Sequence, residues 1–257
     1  MHVLIFKKKT LIKTAICAAL VLFCVICTGV FYGDTKTTFG EKTYENMPVC
    51  SIDTNEKVVA LTIDTAFGED HTKEILRALK NNGIKATFFV MGEWGAENPN
   101  LVEEIIAEGH EIASHSMTHI RYTDVSKEEM LDDARQAKEY IDAMGGKGNI
   151  IRLPYGAYND EVVNALFTKG YIPVMWSNDG EDWKESDSNA VCTKVVSKVT
   201  GGDIIMLQNN TQSGADAINC IVSGLKEKNY EFATISEIMP EGDIITDKNG
   251  RASTFKE

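Results

Sequence analysis

Two histidines four residues apart, in His115-Ser-Met-Thr-His119, are the strongest chemical signal in the chain. Imidazoles at that spacing share one metal ion if the segment makes a helical turn. The chain has five histidines in 257 residues, which argues against a chance pairing. Asp64 closes the apolar run Leu61-Thr-Ile-Asp64. A carboxylate at a strand end is costly to bury without partners, so it is either a turn cap or a working acid. Arg152, in Arg152-Leu-Pro-Tyr155, ends another apolar run, and its guanidinium is suited to hold a carboxylate ionised and oriented. Pro154 fixes the backbone next to Tyr155, whose N–H is then available to a developing oxyanion. The stretch Trp176-Ser-Asn-Asp179-Gly-Glu-Asp182-Trp183 interleaves acids with indoles. Such loops suit sugars, whose apolar faces lie on aromatic rings while carboxylates take hydroxyls. Taken singly, each of these segments has a plain structural reading, from a core tryptophan to a solvated acidic turn.

The elements that must position these residues alternate between two periods. Strand-like runs fall at Val58–Ile63, Lys85–Met91, Glu111–Ser114, Asn149–Leu153, Tyr171–Trp176, Asp203–Leu207 and Phe232–Ile235. Helix-like segments lie between them at His71–Asn82, Pro99–Glu108, Ser126–Met144, Asp160–Lys169, Asn189–Val199 and Ala215–Lys228. Ser126 followed by Glu129 is a capping-box signature, and Gly83, Gly109, Gly145 and Gly170 stand where helices stop. Seven strands in alternation with helices predict a parallel α/β sheet. The polar residues follow many different strands, and they converge on one point only if the strands form a ring. The expectation is therefore a barrel of seven strand–helix units.

Together, the segments around Asp64, His115-Ser-Met-Thr-His119, Arg152-Leu-Pro-Tyr155, Asp179–Trp183 and Gly202–Asn209 resemble the polysaccharide deacetylase family, the NodB-type or carbohydrate esterase 4 group. Phe67-Gly68-Glu69-Asp70 is similar to its Gram-positive, sporulation-type branch. The resemblance implies a distorted (β/α)7 barrel. It implies a divalent metal, zinc first and cobalt, nickel or manganese as alternatives, and removal of acetyl groups from an N-acetylated polysaccharide. It assigns Asp64 as general base, His115 and His119 as metal ligands, Arg152 as the tether of the base and the Tyr155 backbone as oxyanion donor. Asp182 becomes a supporting carboxylate and Trp183 part of the substrate wall, beside which the acidic-aromatic loop offers Trp176 and Asp179 as further sugar-binding candidates. Two positions depart from the family pattern. Thr65 stands where a third, acidic ligand is usual, with Asp70 the replacement to be expected and Glu69 next. Gln208 stands where a histidine usually protonates the leaving amine, and glutamine has no proton to give near neutral pH.

Composition narrows the partners. Residues 1–33 hold Lys7, Lys8, Lys9 and Lys13 and no acid. The 26 basic residues less these four leave 22 against 38 acids, a net charge of −16 for the rest of the chain. That sign excludes nucleic acid as a partner and fits a neutral glycan. The apolar run from about Ala15 to Tyr32, preceded by the lysines, predicts an uncleaved transmembrane signal-anchor with a cytoplasmic N-terminus. Residues 34–56 read as an extracytoplasmic linker, 57–239 as the catalytic domain on the outer side of the cell membrane and 240–257 as a tail. Cys50, Cys192 and Cys220 remain outside the apolar run, an odd number. Pairing of Cys192 with Cys220 and burial of both as free thiols are alternatives that the spacing leaves open.

Overall fold

The computed structural model describes residues 47–254. Its frame is a parallel sheet of short, mostly buried strands: β2 (Val58–Thr65), β3 (Thr87–Val90), β4 (Glu111–Ser114), β5 (Lys147–Ile151), β6 (Ile172–Pro173), β7 (Asn178–Asp179) and β8 (Ile204–Gln208). They are hydrogen-bonded in the order β6-β5-β4-β3-β2-β8-β7, every pair parallel, and β9 (Glu231–Phe232) adds to the start of β2. The helices α1 (Thr72–Asn82), α2 (Gly92–Glu97), α3 (Pro99–Ala107), α4 (Lys127–Ala143), α5 (Asp160–Thr168), α6 (Ser188–Lys198), α7 (Gln212–Glu227) and α8 (Ile235–Ile238) complete the strand–helix alternation. The two end strands of the path, β6 and β7, are not paired with each other. The expected seven-strand ring is thus a curled sheet with an open seam.

Strand parity separates two interiors. On β2 the side chains of Val59, Leu61 and Ile63 pack with those of Ile75, Leu79, Ile218 and Val222 beneath the helices. Ala60 has the opposite parity and packs with Phe89, Ala113, Ile150 and Ile204. Successive side chains of a strand point to opposite faces, so Thr62 and Asp64 share the side of Ala60. On β8 the same rule places Met206 and Gln208 on the side of Ile204, and Asp64 lies beside Gln208 in register. A carboxylate and an amide therefore emerge side by side at the C-terminal ends of β2 and β8.

The segments expected as linker and tail are, in their described parts, structured. β1 (Ser51–Ile52), β10 (Ile244–Thr246) and β11 (Arg251–Thr254) form a small separate sheet. Val49, Ile52 and Ala252 enter the same buried cluster as Ala60 and Ile204. Val49 donates its N–H to Pro173 O and accepts from Met175, while Ile52 donates to Gly202 O. The segment thus lies against both β6 and β8, close to the open seam. Gly202 permits this approach, since a Cβ there would stand 2.0 Å from Ile52 O. Polar composition hid these strands, which are two to four residues long. The predicted transmembrane run lies outside the described residues, and among those described no helix is long and apolar enough to cross a membrane.

Cys192 on α6 and Cys220 on α7 form a disulfide, which settles the open alternative in favour of pairing. Cys50 is a half-buried free thiol whose pKa burial raises to about 11. A 28-residue separation gives a closed loop whose unfolded-state restriction is worth about 3.5 kcal/mol in the chain-entropy picture. Replacing Cys192 and Cys220 together by alanine should lower the urea unfolding free energy by about 2–4 kcal/mol. An unchanged denaturation midpoint would refute a structural role for this bridge.

Candidate active site

Arg152 follows β5 and is fully buried, with a relative exposure of 0%. Its Nη1 donates to Asp64 Oδ1 at 2.7 Å and to Thr62 Oγ1 at 2.7 Å, and its Nη2 donates to Met175 O at 2.9 Å. The guanidinium carbon lies 3.9 Å from the Phe89 ring centre and 5.6 Å from that of Trp176. Burial pulls its pKa down, and the Asp64 carboxylate opposes that pull. Asp64 is thereby held by one oxygen, and its Oδ2 stands 3.9 Å from His115 Nε2.

His115 and His119 face each other, with Nε2 to Nε2 at 3.1 Å. His115 Nδ1 lies 3.0 Å from the carbonyl of Arg152, so that nitrogen carries the proton and Nε2 presents a lone pair. Two nitrogens on one tetrahedral zinc, each ~2.0–2.1 Å from the ion, are about 3.3 Å apart. The pair fits a divalent ion. The local backbone differs from the expected helical turn. Residues 115–119 form a loop in which Ser116 (φ 64°) and His119 (φ 59°) are left-handed. The rings meet through those two unusual torsions and not through helical periodicity.

The third ligand is missing from the expected place. Thr65 is buried, with its hydroxyl donating to Ile63 O. Asp70 is exposed, and its Oδ1 accepts from Thr72 N at the start of α1, so the structure does not bring it to the histidines. Glu69 is exposed too, 3.9 Å from His71 Nε2. Among the described residues no group of three His, Cys, Asp or Glu side chains is arranged to hold an ion. A metal here would rest on the two imidazoles, with Asp64 at longer range.

The site opens into a cleft of about 580 Å3 whose lining includes Asp64, His115, His119, Tyr155, Trp176, Asp179, Trp183 and Gln208. The large hydrophobic side chains most exposed among the described residues, Phe67, Tyr155 and Trp183, all line it. Tyr155 is left-handed (φ 59°), and its ring packs edge-on against His119 with 4.5 Å between centres. Asp182 stands behind this wall and is not among the lining residues. Its Oδ2 accepts from the backbone N–H of Gln208 at 2.9 Å and from the Thr211 hydroxyl, in space that Gly214 leaves free. Burial lifts its pKa to about 6. Asp179 is raised by burial as well, and its Oδ1 accepts from Glu181 N.

Asp133 on α4 was not among the residues singled out from the sequence. It is buried and accepts from Met117 N (3.0 Å), Thr118 N (3.0 Å), Thr118 Oγ1 (2.7 Å) and Tyr122 Oη (2.7 Å). It therefore holds the strained histidine loop in shape. Its signal was present, because with Met130, Ala134, Ala137 and Ile141 it falls on the buried stripe of α4. An acid on an apolar stripe needs partners.

A polysaccharide deacetylase family model matches residues 51–174. The chain is 34% identical over 186 residues to the peptidoglycan-N-acetylglucosamine deacetylase PgdA of Listeria monocytogenes, which covers 72% of this chain and 39% of that protein. The chain thus spans well under half of that relative. It is 32% identical over 190 residues to a peptidoglycan-N-acetylglucosamine deacetylase of Bacillus cereus, covering 72% of this chain and 89% of that one. Among solved structures it is similar to a carbohydrate esterase family 4 pseudoenzyme from Bacillus anthracis, with 30% identity and a TM-score of 0.70. That match covers 75% of this chain and 69% of the other. A mutant of that pseudoenzyme with restored enzymatic activity matches with the same TM-score at 31% identity, covering 75% of this chain and 71% of that one.

Two outcomes follow from the geometry. Burial, aided by the neighbouring His115, lowers the His119 pKa to about 4, and burial lowers that of His115. An ordinary imidazole, with a pKa of ~6.5, would be about 90% protonated at pH 5.5 and would lose roughly tenfold in metal affinity. Here His119 stays neutral at pH 5.5 and His115 is shifted in the same direction, so zinc affinity measured by calorimetry should fall less than that between pH 7.0 and 5.5. A steeper loss would show that the rings are not shielded. Asp133→Asn removes two acceptor sites from the loop and should weaken zinc binding by roughly 10–100-fold, the usual cost of losing an outer partner. Unchanged zinc affinity would show that Asp133 does not set the ring positions.

Proposed function

The chain belongs to the polysaccharide deacetylase family, and we propose that it removes acetyl groups from an N-acetylated cell-wall glycan, with a divalent ion held by His115 and His119. The observation that carries this reading is the convergence of the two Nε2 atoms at 3.1 Å beside a carboxylate that a buried arginine holds in place. Zinc suits an imidazole pair, with cobalt, nickel and manganese as alternatives. A bound divalent ion would supply Lewis acidity, polarising the acetyl carbonyl and acidifying water. Asp64, tethered by Arg152, takes the proton of the attacking water. The Tyr155 backbone N–H, in its left-handed turn, is offered to the oxyanion. Phe67, Trp176 and Trp183 present ring faces to the sugar, and Asp179 takes its hydroxyls.

Gln208 is the weak point. It stands beside Asp64 in register and cannot protonate a departing amine. His71 offers no remedy, since it is buried at the start of α1 and does not line the cleft. A positioned general acid contributes roughly 10²–10⁴ in rate. The reading is therefore slow hydrolysis of N-acetyl groups and relatively better hydrolysis of O-acetyl esters, whose alkoxide leaves more easily.

A second reading has its own support. Thr65 and Gln208 both replace working side chains, and the fold is shared with a pseudoenzyme. On this reading the cleft binds glycan and turns over nothing. The apolar run near the N-terminus, with its lysines, supports a membrane tether that places the domain outside the cell, and the Cys192–Cys220 disulfide fits that oxidising side.

Acetate release from peptidoglycan, chitooligosaccharide and acetylated xylan distinguishes the two. Wild type should release acetate from esters faster than from amides. Asp64→Asn should abolish both, and Gln208→His should raise amide cleavage at least ~10-fold. Glycan binding without acetate from any substrate would establish the second reading. No gain from Gln208→His and no loss from Asp64→Asn would remove the catalytic assignment.

A further inference from the structure

Among the described residues Arg121 is the one Lys or Arg that lines the cleft; the other guanidinium of the site, Arg152, lies beneath it and is committed. Arg152 is fully buried and engaged with Asp64, Thr62 and Met175. Arg121 has a side-chain exposure of 43%, and its one ion pair among the described residues is with Asp124 at 3.6 Å, whose own side chain is 67% exposed. Such exposed pairs are weakly held and exchange readily for a better carboxylate. The guanidinium carbon lies 4.5 Å from the Tyr155 ring centre, and that ring touches His119. The ring holds the cation by its π face, while the planar fork of N–H donors matches a carboxylate in bidentate fashion. Guanidinium, phenol ring and metal-binding imidazole thus form a continuous row along the cleft.

A site for a neutral sugar has no use for this group. Its other charged lining residues are the carboxylates Asp64 and Asp179, and the chain carries a net charge of −12. The long-range field therefore repels anions, and any recognition of one must be short-range. Lys184 does not substitute, since it pairs with Glu181 at 2.8 Å and does not line the cleft.

We propose that Arg121 reads a carboxylate carried by the glycan, so that the cleft prefers an acetylated sugar with an acidic substituent over a neutral one. This rests on the glycan reading of the same site. The bound carboxylate displaces Asp124 and takes two parallel hydrogen bonds from the guanidinium, while the acetyl group of the same or the adjoining sugar lies towards His119.

The test is a binding measurement on the full chain, independent of turnover. The probes are a neutral chitooligosaccharide, a peptidoglycan disaccharide with its lactyl carboxylate free, the methyl ester of that disaccharide, and a uronate-bearing oligosaccharide with its methyl ester. The quantity read is the affinity ratio of acid to ester. Wild type should give a ratio of about 10, as for one charge-assisted bidentate contact. Arg121→Gln should bring it to about 1, and Arg121→Lys should restore part of it. The ratio should shrink as salt is raised from 50 to 500 mM. A ratio above 1 for the lactyl or the uronate pair that depends on Arg121 supports the proposal and identifies which carboxylate is read. A wild-type ratio of 1, or one that Arg121→Gln leaves unchanged, overturns it. If chitooligosaccharide binds while the ratio is 1, the glycan reading stands and this inference alone fails. If no probe binds, both fall.

Discussion

The buried guanidinium of Arg152 is the interaction on which the rest of the structure depends. Desolvating a charge of this size costs several kcal/mol, and only near-complete pairing offsets it. The pairing draws on three separate parts of the sheet. Thr62 and Asp64 come from β2, Met175 from the chain after β6, and the Phe89 face from β3. None of these can shift far without exposing an unpaired charge in an apolar interior. The same residue also orients the imidazole pair, since its carbonyl meets His115 Nδ1. One side chain thus fixes the Asp64 carboxylate, and its own main chain fixes the tautomer of His115. Arg152 Nε is buried without a partner, a residual cost that the other contacts carry.

Around that fixed point the backbone is strained where chemistry is expected. Ser116, His119, Tyr155 and Glu181 are left-handed without being glycine, and each lies on a loop following a strand of the sheet. Such torsions cost of order 1 kcal/mol or more apiece and persist only where surroundings over-determine them. Asp133 provides that constraint for the histidine loop through three hydrogen bonds from Met117 and Thr118, with a fourth from Tyr122 just beyond it. Glu181 is held by Lys184 and Lys194. The helical turn that spacing alone suggests for His115 and His119 would have needed none of this.

The legibility of the sequence follows the same division. The strand–helix rhythm was readable because β2, β3 and β8 are buried on both faces and read as apolar runs. Asp64, Arg152 and the histidine pair were readable because each is a polar residue at the end of such a run. The open seam was not, because the end strands β6 and β7 are two residues long and carry no periodic signal. The sheet formed by β1, β10 and β11 was hidden for the same reason. The sequence offers Asp70 as a ligand because proximity along the chain does not reveal that its carboxylate accepts from Thr72 N at the start of α1. Cysteine spacing left the disulfide open, since it depends on how α6 packs on α7.

The two departures from the family pattern are cheap for the fold, and charge balance explains why. A second carboxylate beside Asp64 would repel it at short range and would need a bound cation to be tolerated. With Thr65 there, the hydroxyl is satisfied by its own strand, and Asp64 is matched one-to-one by Arg152. Gln208 adds no charge, and its main chain is pinned by Asp182 whatever its side chain does. The substitutions therefore leave the Asp64–Arg152 pair balanced without an ion, where a second carboxylate beside Asp64 would leave a net negative charge. The aromatic wall is untouched by either change, because Phe67, Tyr155 and Trp183 stand on other loops from Thr65 and Gln208 or beyond their strand ends. The groups proposed for catalysis and those proposed for glycan recognition are separate residues on one scaffold, so a change in the first need not disturb the second or the fold.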